Sequence, residues 1–126
     1  MATEVLTRTR RYVVDDGIVR STVLPGTEET LADAIENVRA GGQLLGGRPR
    51  LVLDDSRHIK SIDREARAYY AGPESTRMVL AAAVLIGSPI QRIIGNFFLK
   101  LNQPPFPARL FTSEAEALAW LKSFAR

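Results

Sequence analysis

Apolar and polar positions first alternate along the chain and then fall into a helical rhythm. Residues 7–14 and 18–24 are β-prone runs, and Asp16-Gly17 between them tolerates the positive φ angles of a type I′ turn. This predicts an antiparallel hairpin, stopped at Pro25-Gly26. From Thr30, Leu31, Ala34, Ile35 and Val38 recur at the spacing of one helix face, with Thr30 as the cap. The helix is expected to pass through Gly41-Gly42, straight or kinked, resume at Leu44-Leu45 and end at Gly46-Gly47. Leu51-Val52-Leu53 then reads as a buried strand that ends in Asp54-Asp55.

The second half repeats this alternation. Ile62, Ala66, Tyr69 and Tyr70 form a helical face that Gly72-Pro73 breaks, and residues 79–86 are a second buried strand. Ser88 caps and Pro89 opens a helix bearing the clearest stripe in the chain, Ile90, Ile93, Ile94, Phe97, Phe98 and Leu101. A Pro-rich connection, Asn102 to Pro107, leads to a short strand at 108–112. Ser113 and Glu116 make a capping box for a last helix whose face is Ala117, Leu118, Leu121 and Phe124. The order ββαβαβαβα predicts an α/β fold. A hairpin precedes a mixed four- or five-stranded sheet with helices packed on it, the hairpin strand at an edge. Leu53, Ile62, Val84, Ile94, Phe97 and Leu118 are the expected core, and residues 1–6 a flexible extension.

Composition narrows the classes. At 126 residues the chain has room for one domain, and 45% hydrophobic with 25% charged residues is an ordinary globular balance. The absence of Cys removes disulfides, thiolate catalysis and Cys-based zinc sites, and the single His makes any Ser-His-Asp triad depend on His58. Lys+Arg 17 against Asp+Glu 14 is too mild and too dispersed for a nucleic-acid footprint. The first residues lack the apolar core of a signal peptide, and the longest apolar run, residues 78–87, is too short to span a bilayer. A soluble, cytoplasmic chain is expected.

The candidate chemistry is sparse. Asp54, Asp55 and Asp63 lie where parallel strands end and helices begin, the usual place for a ligand in α/β sheets. They lack the spacing of a cation cage, so strand-end and cap roles are expected instead, with no metal. His58, between Arg57 and Lys60, reads as a loop residue, and Ser56, Ser61 and Ser88 as turn and cap residues. No nucleophile elbow, phosphate loop or dinucleotide fingerprint occurs, so no catalytic or cofactor-binding residue is assigned. Arg57, His58, Lys60, Arg64 and Arg67 form the strongest polar cluster, either an anion seat or a solvated face diluted by Asp54, Asp55 and Glu65. Leu99 and Phe106, near Pro104-Pro105, suggest apolar surface for a partner or a second subunit, with the hairpin edge as the other route to a homodimer.

This order of elements resembles the STAS superfamily, typified by bacterial anti-sigma-factor antagonists and the cytoplasmic domains of sulfate transporters, with its SpoIIAA-like fold. Closer still is an uncharacterised bacterial STAS/SEC14-like branch. That likeness is carried by Ile62-Asp63-Arg64-Glu65-Ala66-Arg67, Gly87-Ser88-Pro89-Ile90, Ile94-Gly95-Asn96-Phe97-Phe98-Leu99 and the run from Leu101 to Phe111, and it covers residues 17–124. In the antagonists a strand-end Asp is followed eight residues later by Asp-Ser-Ser/Thr-Gly, whose second hydroxyl is phosphorylated. Asp55 and Asp63 keep that spacing, but Arg64, Glu65 and Ala66 replace the rest. Glu65 is a fixed charge where the phospho-acceptor would stand.

The resemblance implies a non-enzymatic domain that binds a protein partner in bacterial regulation without a phospho-switch. Partners of the antagonists dock on the segment matching residues 55–67, which nominates Arg57, Lys60, Asp63, Arg64, Glu65 and Arg67. The alternative is a carrier of a small or lipid-like molecule, as the SEC14-like label suggests. A large pocket would favour the carrier.

Overall fold

The structure, a computed structural model, describes residues 4–46 and 48–125, apart from the side chains of Leu45, Phe98 and Asn102. The hairpin forms as its turn chemistry dictates. β2 (Arg10–Asp15) and β3 (Ile18–Val23) pair antiparallel around Asp16 and Gly17, both at positive φ (52° and 76°). β1 (Glu4–Leu6) pairs with β2 and covers its outer edge. Residues 4–6 are therefore the edge strand, not part of an extension, and the hairpin strand is interior. The extension expected at residues 1–3 lies outside the described residues. β4 (Glu28–Glu29) follows, and Thr30 then caps α1 (Leu31–Leu45) through a reciprocal box with Asp33. The helix runs through Gly41-Gly42 and stops at Gly46 in the left-handed conformation; the Gly47 half of the expected stop is not described.

β5 (Arg50–Asp55), β6 (Ser61–Ile62), α2 (Arg64–Tyr70) and the short α3 (Pro73–Thr76) follow. β7 (Val79–Leu85), α4 (Pro89–Asn102), β8 (Ala108–Phe111) and α5 (Glu114–Lys122) complete the chain. The main sheet has six strands in the order β1-β2-β3-β5-β7-β8, one more than the upper expectation because of β1. β3, β5, β7 and β8 run parallel, and β4 and β6 make a separate parallel pair.

Strand alternation divides the core into two faces. Leu51, Leu53, Ala81, Ala83, Leu85 and Phe111 pack with Ala117 and Leu121 of α5, and Leu118 is partly buried against them. On the other face Tyr12 and Val19 meet Val52, Leu44 and Met78. Val84 and Ile62, expected in the core, are only half-buried there.

The largest departure is α4. Ile94 and Phe97, expected inside, are 56% and 68% exposed, and Ile90, Ile93 and Leu101 of the same stripe are exposed with them. The expectation for Phe98 concerns a side chain that is not described. The reason lies one third of a turn away, where a Cβ on Gly95 would stand 2.8 Å from Leu110 Cδ1 of β8. The helix meets the sheet at Gly95, with Gln91 and Leu99 on the same side lining the space above the sheet, and its apolar stripe turns outward. Periodicity reports that a face is apolar and not what it faces.

Candidate functional site: a cavity floored by a buried ion pair

Between the second sheet face and the helices above it lies a cavity of about 600 Å³. Its sheet wall is Val19, Val52, Ala82 and Val84, while α1 and α4 contribute Val38, Ile94 and Leu99. The connection before β8 adds Pro104 and Phe106, so the wall is mainly aliphatic. Such a volume with convergent polar groups at one end is that of a small-molecule pocket.

The polar end is built by β2, β3 and β5. Arg10 faces inward from β2, its guanidinium 6% exposed beside a Glu29 carboxylate that is fully buried. Arg10 Nη2 and Nε donate to the two Glu29 oxygens at 2.7 and 2.9 Å, and Nη1 donates to Ser21 Oγ at 2.9 Å and Asp54 Oδ1 at 3.2 Å. Thr9, Asn37 and Tyr70 donate to Glu29 Oε2 at 2.7, 2.9 and 3.2 Å. The Arg10 cation also lies 5.0 Å from the centre of the Tyr70 ring. Burial works against the ionised Glu29, but the Arg10 fork and the hydroxyl donors outweigh it and hold the carboxyl below its ordinary range. Burial likewise opposes the Arg10 charge, which Asp54 and Glu29 fix. Tyr12 is pushed up to about 12 and Tyr70 upward as well, in both cases chiefly by burial, so both phenols stay protonated.

Asp54 and Asp55 do not act together. Alternation sends Asp54 to the cavity face, where it holds Arg10 and accepts from Ser56 Oγ at 2.9 Å. Asp55 goes to the α5 face, where Arg57 grips it through Nε and Nη2 at 2.9 and 2.7 Å. The Arg57 side chain and backbone hydrogen bonds hold the Asp55 carboxyl below its usual range against the opposing effect of burial. Arg57 also lies 3.8 Å from Glu114, which Arg20 holds bidentately. Asp63 caps α2 by accepting from Ala66 N at 2.8 Å. The three aspartates thus have three separate tasks, and no group of three acidic or His side chains among the described residues could hold a metal ion.

Of the cluster expected at 57–67, Arg57 and Asp63 are engaged internally, and Arg67 is half-buried and lines the cavity. Lys60, Arg64 and Glu65 are exposed, and so is His58. Leu99 and Phe106, expected as outward apolar surface, are half-buried against the cavity instead, because α4 turns that side toward β8. The arrangement can hold and orient a molecule.

The model of a family described as a domain of unknown function, DUF7793, matches residues 12–125. The chain belongs to that family. No match was found among curated proteins. Solved structures similar to this DUF7793 member include the following three. An uncharacterised DUF3478-family protein with a SpoIIAA-like fold from Shewanella loihica PV-4 aligns with TM-score 0.64 at 15% identity, over 94% of this chain and 90% of that one. An anti-sigma factor antagonist from Mycobacterium paratuberculosis aligns with TM-score 0.58 at 16% identity, over 90% and 93%. A protein of unknown function from Arthrobacter sp. FB24 is 38% identical over 84% of this chain and 92% of that one, with TM-score 0.32. The first two carry the fold alone: this DUF7793 chain has a SpoIIAA-like fold. Among the described residues no helix is long and apolar enough to cross a membrane.

Arg10, Glu29, Asn37 and Tyr70 were not among the sequence candidates. One signal for them existed. Asn37 sits on the inward face of α1, between Ala34 and Gly41, where a buried amide needs polar partners.

Proposed function

We propose that the chain is a non-enzymatic binding domain whose ligand is an apolar small molecule with a polar end, held in the cavity between sheet and helices. The observation that carries this is the aliphatic cavity of about 600 Å³ closed at one end by the Arg10–Glu29–Asp54 network. The walls would take the apolar body. Asp54, which is 28% exposed, offers its second carboxylate oxygen to a donor on the ligand. Ala82→Phe would fill the cavity from the sheet wall. Dodecanol or dodecylamine should raise the melting temperature of the parent chain and leave that of Ala82→Phe unchanged. No stabilisation by either probe, together with no organic compound released by solvent extraction of the purified protein, would remove the proposal.

A second reading is protein docking on the 60–65 surface, favoured by the exposure of Lys60, Arg64 and Glu65 beside a cap and a strand end that fix the backbone. A partner reading that surface should bind less tightly as salt screens it. Lys60→Ala with Arg64→Ala should cost no more than about 0.5 kcal/mol of stability. Capture of a partner should fall strongly, and unchanged capture would move the docking surface elsewhere. Glu65 stands as a permanent charge in that reading. Peptide mapping of residues 63–67 should accordingly find no phosphate.

A further inference from the structure

We infer that α4 is a peripheral membrane-docking helix that lays its exposed stripe into the headgroup region of an anionic bilayer. Its three sides each have a separate address. Gln91, Gly95 and Leu99 rest against β8 and the cavity. Ile90, Ile93, Ile94, Phe97 and Leu101 are each more than half exposed, with Ile93 at 70%, and Ile94 also borders the cavity. Arg92, Asn96 and Lys100, spaced four residues apart, form an exposed polar line beside that stripe. An outward apolar face flanked by cations is the signature of a helix lying in a membrane interface. Isolated exposed apolar residues need no explanation, but five on one face of one helix do.

Charge selects the occupant. From Ser75 to Ser113 the sequence contains Arg77, Arg92, Lys100 and Arg109 and no acidic residue. In a two-fold pairing of this face with its own copy, Arg92 and Lys100, the cations beside the stripe, would meet their own kind with no carboxylate from α4 between them. Phosphate headgroups supply the missing negative charge and accept the apolar side chains beneath. Docking is peripheral, since no described helix is long and apolar enough to cross a membrane. It involves the outward side of α4 and stands whether or not the cavity holds a ligand.

The test is co-sedimentation of the full chain with vesicles of phosphatidylcholine, alone or mixed with phosphatidylglycerol. The chain should pellet with the mixed vesicles, weakly with the neutral ones, and less as salt rises. Ile93→Glu with Phe97→Glu, whose fold is checked by circular dichroism, should lower the apparent affinity by about tenfold or more. Arg92→Glu with Lys100→Glu should abolish the preference for the anionic vesicles, and Ala82→Phe should pellet like the parent. The inference is overturned if the chain stays in the supernatant with both compositions, or if Ile93→Glu with Phe97→Glu pellets unchanged. It is equally overturned if sedimentation equilibrium finds a dimer that this variant splits, with no vesicle binding, because the face then belongs to a second copy.

Discussion

Glu29 is the side chain on which most of the buried polarity converges, and its removal would leave the nearly buried Arg10 with the more distant Asp54 carboxylate. Glu29→Gln keeps the shape and removes the charge. It should destabilise the chain by about 3–5 kcal/mol, the range for breaking one half of a buried pair, measured by urea unfolding. Replacing both partners by apolar residues of similar volume should cost less, because the one carboxylate left without its cation, Asp54, is part-exposed. The same carboxylate ties stability to acid. Its folded pKa lies below its ordinary value of 4.5, so its contribution is complete above that value and lost as the pH falls through the folded one. Asp33 behaves alike, drawn down to about 2 chiefly by its hydrogen bonds to Arg8, so its share disappears between its ordinary 3.8 and about 2. Denaturation midpoints should therefore be flat above pH ~5 and fall steeply below pH ~4. Little of this network was legible beforehand, since Arg10 stands among polar neighbours in a strand and Glu29 beside an identical Glu28. Which of two adjacent like residues turns inward depends on the pairing of β4 with β6, two residues each, too short to leave a pattern.

The long elements announced themselves through their punctuation: Asp16-Gly17 at the turn, Thr30 and Ser88 at helix starts, Gly46 at a helix end. α1 shows how far local propensity yields to packing. Gly41 and Gly42 stay helical because the backbone runs close to the Tyr12 ring and to Met78, and a Cβ on them would find ordinary contacts of 3.5 and 3.6 Å. Gly42→Ala should therefore stabilise the chain by about 1 kcal/mol, read from thermal melting, since it gains helix propensity without a clash. Gly95→Ala in α4 should gain less, because its Cβ would press on Leu110 and the helix would have to shift. α4 is also where the sequence misleads about orientation. A strong stripe normally marks the buried face, but here the small residue, not the large ones, marks the contact.

At the scale of the whole molecule, the sheet is finished by its first described residues. β1 pairs with β2 in the register Glu4↔Val13, Val5↔Tyr12 and Leu6↔Arg11, and Val5 packs on the Tyr12 cluster. An uncovered β2 would present open backbone groups to other chains. Removal of β1 by truncation through Leu6 should lower the melting temperature and increase light scattering on concentration. This edge is hard to read in sequence, because three residues with one apolar side chain facing in do not make a pattern. The fold class, by contrast, was readable from alternation alone. The face that each helix buries was not.

The opposed pair Asp54 and Asp55 has a consequence for the fidelity of assembly. β5 lies in the middle of the sheet between β3 and β7, and each of its two terminal carboxylates must meet a different arginine on a different side. If β5 slid past its neighbours by one residue, every side chain would change sides. Asp54 would then face the aliphatic α5 core and leave Arg10 with Glu29 alone, while Asp55 would be carried to the cavity face, away from the Glu114–Arg20 pair beside Arg57. Two adjacent acids with separated cations thus act as a two-part key, and only one alignment of the central strand turns it.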